Sequence, residues 1–292
     1  MDKIRNIFFN RNIGIVILGS VILLFASMIY FKVLYPKISE KSFFIAETFS
    51  TNGYHEKSLK ELNKCLLLNI FYSKIYHKKA DIYLEIGKNR AALTNYNMAI
   101  FLNKNNPQIY SKRSLLHTMN LDYARAELDV DKAIKLAPFS PFYYAQKATL
   151  YMEKNPSKAI GLLTDAIKLD KNFGYAYFLR GKLRIEKEDI NGAIEDLSIA
   201  ISIDPLIADN YAQRSSAYLY QYNPKAIIDA KKAVELAPKN PQILMTKAMG
   251  FYAFGYFAEA KKDIDLAKKI SLEQSDYESY EKICKTSQKF GF

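Results

Sequence analysis

Apolar and small residues recur along most of this chain with helical spacing, and the whole pattern repeats about every 34 residues. The segments AIEDLSIAISIDP, AIIDAKKAVELAP and ARAELDVDKAIKLAP share one order of small, apolar and proline positions. Tyrosine-led helical segments such as YAYFLRGKLRIE and YAQRSSAYLY precede them. Because each period holds two segments of helical periodicity, the pattern predicts an all-α chain of repeated helical hairpins.

The pattern divides residues 39–274 into seven repeats, each predicted to hold a first and a second helix. Their bounds are 39–72, 73–106, 107–140, 141–173, 174–207, 208–240 and 241–274. Repeats four and six are one residue shorter than the others, and both carry Asn-Pro at the turn, at 155–156 and 223–224. Proline presets one backbone angle of a turn, so this is a suitable place to lose a residue.

Three positions in every repeat hold small residues. The first series is Ala46, Ala80, Ser114, Ala148, Gly181, Ser215 and Ala248. The second is Ser58, Ala92, Ala126, Ala159, Ala193, Ala226 and Ala260, and the third is Cys65, Ala99, Ala133, Ala166, Ala200, Ala233 and Ala267. Small side chains let helices approach to about 8–10 Å between axes. We therefore expect neighbouring hairpins to stack closely, as in a solenoid.

Residues 275–292 are predicted to form a capping helix and a short tail. Tyr277, Tyr280, Ile283 and Cys284 alternate with charged residues at helical spacing, which gives one apolar stripe. A terminal element needs a polar outer face because no further repeat covers it. We expect this helix to close the stack, with Cys284 packed in the core.

These residues resemble the tetratricopeptide repeat (TPR) family, and the similarity covers everything after residue 38. The resemblance implies a right-handed superhelical solenoid of seven TPR hairpins. Two departures from the family pattern are visible: tyrosine replaces the usual tryptophan, and proline closes only three repeats, at Pro138, Pro205 and Pro238. The first repeat, with Ser42 and Ser58, departs furthest, which is typical of a terminal repeat.

A different pattern precedes the repeats. Residues 13–31 read IGIVILGSVILLFASMIYF and hold no charge. A helix of this length covers roughly 28 Å, which matches the hydrocarbon core of a bilayer. We predict a transmembrane anchor between a basic tail at 1–12 and a linker at 32–38. The alternatives are a cleaved signal peptide, a lipoprotein signal and a buried core helix, but the segment lacks a clean cleavage site, a following cysteine and a polar stripe.

The orientation of this anchor is not fixed by its flanking charges. Lys3, Arg5 and Arg11 precede the span and are balanced by Lys32, Lys37 and Lys41 after it, so the positive-inside rule does not choose a side. A short basic tail is hard to translocate. We therefore expect a signal anchor that leaves the repeats on the non-cytoplasmic side of the membrane.

The formal net charge of +12 widens the choice of partner. A positive field attracts nucleic acid, anionic lipid and acidic proteins alike. The basic residues are interleaved with acids, however, as on solvated helix faces. Binding of nucleic acid or anionic lipid by a basic surface therefore stays as the alternative function, and nucleic acid is the less expected of the two ligands.

The sequence offers no catalytic or metal-binding motif. His55, His77 and His117 fall in different repeats, and Cys65 and Cys284 are far apart without metal-ligand spacing. Phosphate-binding glycine motifs are also absent. We predict a protein that is not an enzyme and needs neither cofactor nor metal.

The TPR resemblance implies that first helices line a concave groove, and it gives the candidate partner-binding residues by their position. These are Lys74, His77, Lys78, Gln108, Lys112, Phe142, Gln146, Tyr175, Phe178, Lys182, Gln213 and Tyr220. The same projection includes Asp81 and Asp209. Some TPR proteins grip a chaperone's terminal carboxylate with a set of Lys, Asn and Arg residues, and that set is absent here.

The middle of the projected groove is aromatic and apolar, and lysines flank it on the anchor side. This favours a helix or extended peptide with apolar side chains and some acidic character. The alternative interpretation is that the aromatics pack against adjacent repeats. The sequence thus predicts a membrane-anchored scaffold that binds a protein or peptide partner, for assembly or transport of an envelope or membrane complex.

Overall fold

The computed structural model describes residues 35–68 and 72–292, and every regular element in these ranges is an α-helix. The fifteen helices are α1 (Tyr35–Thr51), α2 (His55–Leu68), α3 (Ser73–Glu85), α4 (Asn89–Leu102), α5 (Pro107–Met119), α6 (Tyr123–Leu136), α7 (Pro141–Thr149), α8 (Pro156–Leu169), α9 (Gly174–Glu186), α10 (Ile190–Ile203), α11 (Ala208–Tyr220), α12 (Lys225–Leu236), α13 (Pro241–Ala253), α14 (Phe257–Glu273) and α15 (Tyr277–Lys289). The all-α prediction is confirmed for this part of the chain.

The predicted anchor at 13–31 and the basic tail at 1–12 lie outside the described residues. Within the ranges that are described, no helix combines the length and the apolar character that a membrane crossing requires. The anchor and the sidedness of the repeats stay predictions.

The chain forms two compact bodies, one ending at Leu136 and one beginning at Ala137. In the amino-terminal body, α1 packs on α2, α3 on α4 and α5 on α6, and the hairpins contact each other through α2–α3 and α4–α5. In the carboxy-terminal body, four hairpins follow the same scheme from α7 to α14, and α15 packs on α14 and α13. Each body is therefore a stack of helical hairpins.

The small residues sit where helices cross, as predicted. All 21 members of the three series are buried. Where a serine takes such a position, its hydroxyl donates to the facing backbone carbonyl, as from Ser114 to Ala126 at 2.7 Å and from Ser215 to Ala226 at 2.8 Å. Gly181 faces an even closer neighbour, since a Cβ there would lie 2.8 Å from Cγ of Leu197.

The first repeat begins earlier than the sequence pattern suggests. Residues 35–38, predicted as part of the 32–38 linker, belong to α1. Proline is tolerated in a first helical turn, so Pro36 does not delay the helix. The turn is also tied to the second helix, because Ser39 is buried and its carbonyl accepts the Cys65 thiol at 3.5 Å.

Both short repeats lose their residue at the turn, since the first two small positions are 11 residues apart in repeats four and six and 12 apart in the others, although the helix lengths differ. In repeat four the first helix, α7, has only 9 residues, whereas in repeat six the second helix, α12, has 12. The side chains of Asn155 and Asn223 accept hydrogen bonds from the backbone at Lys158 and Lys225. The Asn-Pro pair thus starts the second helix in both repeats.

The capping helix is present at 277–289, but one predicted core residue is misplaced. Ile283 is buried and Cys284 is half-buried, while Tyr277 is exposed. Tyr277 opens the helix, where the stripe has not yet turned towards α14. Phe290 stacks on Tyr252 with ring centroids 4.0 Å apart, so the tail packs on the seventh repeat.

The turn inside a hairpin often needs a left-handed residue. Gly53, Gly87 and Gly255 hold φ between 72° and 83° in repeats one, two and seven. The equivalent turns of repeats three, five and six use Leu121, Glu188 and Tyr222, with φ of 60°, 62° and 50°. A side chain in this conformation costs roughly 1–2 kcal/mol.

Candidate partner-binding site

Several basic residues form ion pairs within the hairpins. Three first-helix arginines each form a bidentate ion pair with an aspartate on the second helix of the same repeat. The pairs are Arg113–Asp129, Arg180–Asp196 and Arg214–Asp229, with N–O distances of 2.6–2.9 Å. The hydrogen bond to Asp229 also raises the pKa of Arg214. All three aspartates are buried. The charges of these three arginines are thus compensated within the fold.

The remaining guanidinium nitrogen of each arginine reaches the preceding repeat. Nη1 lies 2.7–3.0 Å from a polar side chain on that repeat's second helix. The contacts are Arg113 to Asn97, Arg180 to Thr164 and Arg214 to Ser198. We call these arginines and their partners the arginine ladder. It joins helices within a repeat and fixes one repeat against the next.

Sequence reasoning missed this ladder, although its signal is regular. Each arginine directly precedes the first small residue of its repeat, and each aspartate follows the second small residue by three positions. Lys247 and Asp263 occupy the same places in repeat seven and form an ion pair at 2.9 Å. A search for charge pairs at the repeat period finds it.

On the first helices of the amino-terminal body, several predicted groove residues are engaged with one another. Asp81 on α3 accepts a hydrogen bond from the Tyr96 hydroxyl at 2.7 Å and an ion pair from Lys112 at 2.6 Å. Nε2 of His77 lies 3.7 Å from the same carboxylate. We call His77, Asp81, Tyr96 and Lys112 the Asp81 network. The charge of Lys112 is therefore already neutralised by the protein.

Burial sets the protonation of this network. Burial lowers the pKa of His77, against the opposing effect of Asp81. It also raises the pKa of Tyr96, and the neighbouring Asp81 adds to that shift. At neutral pH the ring of His77 is neutral and Tyr96 keeps the proton that it donates to Asp81.

The predicted residues Tyr175 and Phe178 lie together in a cavity of about 250 Å³ in the carboxy-terminal body. We call it the aromatic pocket. It lies where the start of α9, the end of α10 and the start of α11 meet. Its lining is Gly174, Tyr175, Phe178, Ala200, Ile203, Asp204, Ile207, Asp209 and Asn210. A Cβ on Gly174 would approach Cγ2 of Ile203 to 3.3 Å, so glycine allows this close approach of α9 to α10.

The aromatic rings divide between packing and surface. Tyr175 is 49% exposed, and its ring stacks on that of Phe178 with centroids 6.4 Å apart. Phe178 is half-buried and packs against the core. One ring is thus anchored in the protein, and it holds the other at the edge of the cavity.

The pocket carries two carboxylates and no basic residue. Asp204 and Asp209 are both exposed. Oδ1 of Asp204 accepts a hydrogen bond from the backbone N–H of Leu206 at 3.1 Å, which shapes the turn before α11. Within the described residues, neither carboxylate has an ion pair. The projection of first helices included Asp209 but missed Asp204, because Asp204 ends a second helix.

The other predicted groove residues differ in exposure. Phe142 is 51% exposed and Tyr220 is 64% exposed. Lys78, Gln146, Lys182 and Gln213 are half-buried, and Gln108 and Lys74 are exposed. Lys74 lies 5.9 Å from the ring centroid of Tyr72. The exposed aromatics show that these positions are not all taken up by packing between repeats.

Two further cavities have fewer polar groups available to bind a partner. One of about 340 Å³ is lined by arginine-ladder residues together with His117 and Arg125, and its main charges already pair with each other. One of about 190 Å³ lies between α13 and α15, beside the hydrogen bond from Gln242 to Ser279. In the portion of the chain with coordinates described, no group of three or more His, Cys, Asp or Glu residues is arranged to hold a metal.

Known proteins resemble parts of this chain in sequence and most of it in fold. No family model matches the chain. It is 33% identical over 92 residues to the STIP1 homolog of Dictyostelium discoideum, which is 31% of this chain and 16% of that protein. It is 25% identical over 156 residues to anaphase-promoting complex subunit 3 of Schizosaccharomyces pombe, covering 53% of this chain and 24% of that one. The chain thus spans less than a quarter of the length of either relative.

A solved structure matches most of the chain. A tetratricopeptide repeat protein from Parabacteroides merdae superposes with a TM-score of 0.67 over 85% of this chain and 99% of its own, at 16% identity. Such a likeness at low identity establishes architecture and not activity. The described residues therefore have the fold of tetratricopeptide repeat proteins.

Proposed function

We propose that this chain is a scaffold that binds a protein or peptide partner on the exposed side of its first helices. The observation that carries the proposal is the half-exposed Tyr175 stacked on the anchored Phe178 at the edge of an open cavity. Aromatic rings held rigidly at a surface contribute contact area at little entropic cost. The exposed Phe142 and Tyr220 extend such contacts to α7 and α11.

The proposal includes a membrane anchor at residues 13–31 and repeats on the non-cytoplasmic side. Its support is the uncharged apolar span in the sequence. A scaffold tethered in this way concentrates its partner at the bilayer, which suits assembly or transport of an envelope or membrane complex. Detergent-dependent extraction tests the anchor, and protease digestion of sealed membrane vesicles of known orientation tests the side: cleavage of the repeat domain by protease added on the cytoplasmic face would contradict this orientation.

The alternative of a binder of nucleic acid or anionic lipid rests on net charge alone. Four of the 42 Lys and Arg residues, those of the arginine ladder and the Asp81 network, are engaged in internal ion pairs, and the cavity that carries the exposed aromatic ring has no basic residue in its lining. Affinity that falls steeply with salt would be the mark of such binding. We therefore favour a polypeptide partner.

Photocrosslinking from the full chain tests partner binding. A photoreactive phenylalanine analogue replaces Tyr175 or Phe142 in living cells, and the matched control replaces Tyr222, an exposed aromatic in the turn between α11 and α12. We expect one polypeptide, identified by mass spectrometry, to crosslink from the first-helix positions and not from the turn. Equal yields from all three positions, or no polypeptide from any, would reject the proposal.

A further inference from the structure

The aromatic pocket differs in charge from the chain that contains it. The chain carries a formal net charge of +12, whereas the pocket lining has two acids and no base. The buried or half-buried aspartates of first and second helices, such as Asp81, Asp129 and Asp196, have a cation of the protein within 3 Å. Asp204 and Asp209 have none among the residues described. The pocket is therefore a local negative site on a positive protein.

The structural roles of the two carboxylates use only part of their capacity to accept hydrogen bonds. Asp204 has one oxygen in the turn before α11, and Asp209 lies in the first turn of α11, where an acid favours the helix dipole. An ionised carboxylate has about four acceptor positions. Both side chains are exposed at the cavity, so their remaining positions are open to a ligand.

The residues that line the pocket restrict the class of ligand that it can bind. Ile203, Ile207 and Ala200 favour an apolar body, and the stacked rings of Tyr175 and Phe178 favour a flat cation. A guanidinium is planar, stacks on aromatic rings and pairs with carboxylates, whereas an ammonium is compact and strongly hydrated. The cavity of about 250 Å³ has room for one long side chain.

We propose that the aromatic pocket binds an arginine side chain of the partner polypeptide, with its guanidinium stacked on Tyr175 and Phe178 and paired with Asp204 and Asp209, and its stem against Ile203 and Ile207. This inference rests on the proposed function, because it supplies the chemistry of the same partner. It also reverses the sequence-based expectation of an acidic partner, at least at this part of the surface.

Selection from a peptide library tests the proposal directly. Randomised nine-residue peptides, displayed on phage, are selected on the full chain in detergent. We expect the selected peptides to share an arginine beside an apolar residue. Replacing that arginine with citrulline, which has nearly the same shape but no charge, should weaken binding by about tenfold, since two exposed ion pairs contribute on this scale.

Variants of the protein assign the effect to the pocket. Asp204→Asn combined with Asp209→Asn keeps the Asp204 side-chain oxygen that accepts from Leu206 N and removes both charges. We expect this variant to lose the preference of arginine over citrulline. Asp170→Asn is the matched control, because Oδ1 of Asp170 accepts a hydrogen bond from Asn172 N at 2.8 Å in the same kind of turn, outside the pocket lining.

The outcomes separate this inference from the proposed function. Peptides that bind in a Tyr175-dependent manner but show no preference for arginine, or that are acidic, would overturn the arginine site and leave the scaffold. An unchanged arginine preference in the double variant would also overturn it. Selection of no peptide at all would count against both.

Discussion

The Asp81 network in the amino-terminal body and the aromatic pocket in the carboxy-terminal body both place aspartates beside aromatic rings, yet the aspartates have opposite surroundings. Each oxygen of Asp81 accepts from a group of the fold, Oδ1 from Tyr96 and Oδ2 from Lys112. Asp204 and Asp209 have no cationic partner within the described ranges. A carboxylate whose partners come from the fold stabilises the fold, whereas one without them is available to a ligand. Net charge along the sequence cannot distinguish the two cases.

The largest effect on stability is expected at Asp196, an arginine-ladder residue that connects two helices of the aromatic pocket. Asp196 on α10 is buried and accepts hydrogen bonds from Arg180 and Arg184 on α9, so these contacts join two helices that line the pocket. Asp196→Ala should lower the free energy of unfolding by about 3–5 kcal/mol, because it leaves charged groups uncompensated. Urea titration followed by circular dichroism measures this. Asp165→Ala, which removes an exposed i,i+3 ion pair with Lys168, should change it by less than about 1 kcal/mol.

Removing the aspartate of each region tests the comparison itself. Asp81→Ala should cost about 2 kcal/mol of unfolding free energy, because the buried Tyr96 hydroxyl loses its acceptor. Asp209→Ala should cost less than about 1 kcal/mol, the contribution of an acid in a first helical turn. Thermal and urea unfolding of both variants provide the measurement. Equal costs would contradict the division into a structural and an available carboxylate.

The hairpin turns offer a smaller test that leaves the pocket intact. Glu188, between α9 and α10, has φ of 62°, and Gly87, between α3 and α4, has φ of 72° with no atom within 4 Å of a built Cβ. Glu188→Gly should raise the free energy of unfolding by about 0.5 kcal/mol, and Gly87→Ala should lower it by about 1 kcal/mol. Differential scanning calorimetry compares the two. Shifts of the same sign would show that backbone strain does not decide these turns.

The smallest expected effect is a pH dependence confined to the amino-terminal body, because all three histidines of the chain precede residue 137. Burial lowers the pKa of His77 and of His117 below the ordinary 6.5. The unfolded chain therefore binds protons first as the pH falls. Their contribution to stability is complete above about pH 6.5 and is lost as the pH falls through the lower folded-state values.

Hydrogen exchange, corrected for intrinsic rates, should then show protection falling between about pH 7.5 and pH 5.5 in residues 72–136 and not in 137–292. The double variant His77→Gln with His117→Gln should remove most of the difference. An equal loss of protection in both bodies would contradict the assignment to these histidines.

The sequence predicted the features that close helix packing requires in every hairpin. The small residues had to be small wherever two helices cross, so their period gave the hairpins and the core contacts. For Phe142, Tyr175 and Tyr220 the sequence left both groove and packing open, and their exposure became clear only from the structure.

What the sequence did not reveal depends on partners distant along the chain. Lys112 is neutralised by Asp81 in the preceding repeat, and Asp204 enters the pocket from the end of a second helix. Neither juxtaposition follows from the pattern of one repeat. The arginine ladder, in contrast, had a regular signal in charge pairs, which a search restricted to small and apolar residues passes over.

The Nη1 contacts between successive repeats also bear on how such a chain can lengthen. Residues 174–207 contain both an arginine that reaches back, Arg180, and a hydroxyl that receives the next one, Ser198. In a tandem duplication of this segment, Arg180 of the second copy would face Ser198 of the first copy at the new junction. Residues 208–240 supply Arg214, but Lys231 stands at their receiving position, so a copy of that segment would set two cations against each other. A duplication of residues 174–207 should therefore keep this contact between repeats, whereas a duplication of residues 208–240 should lose it.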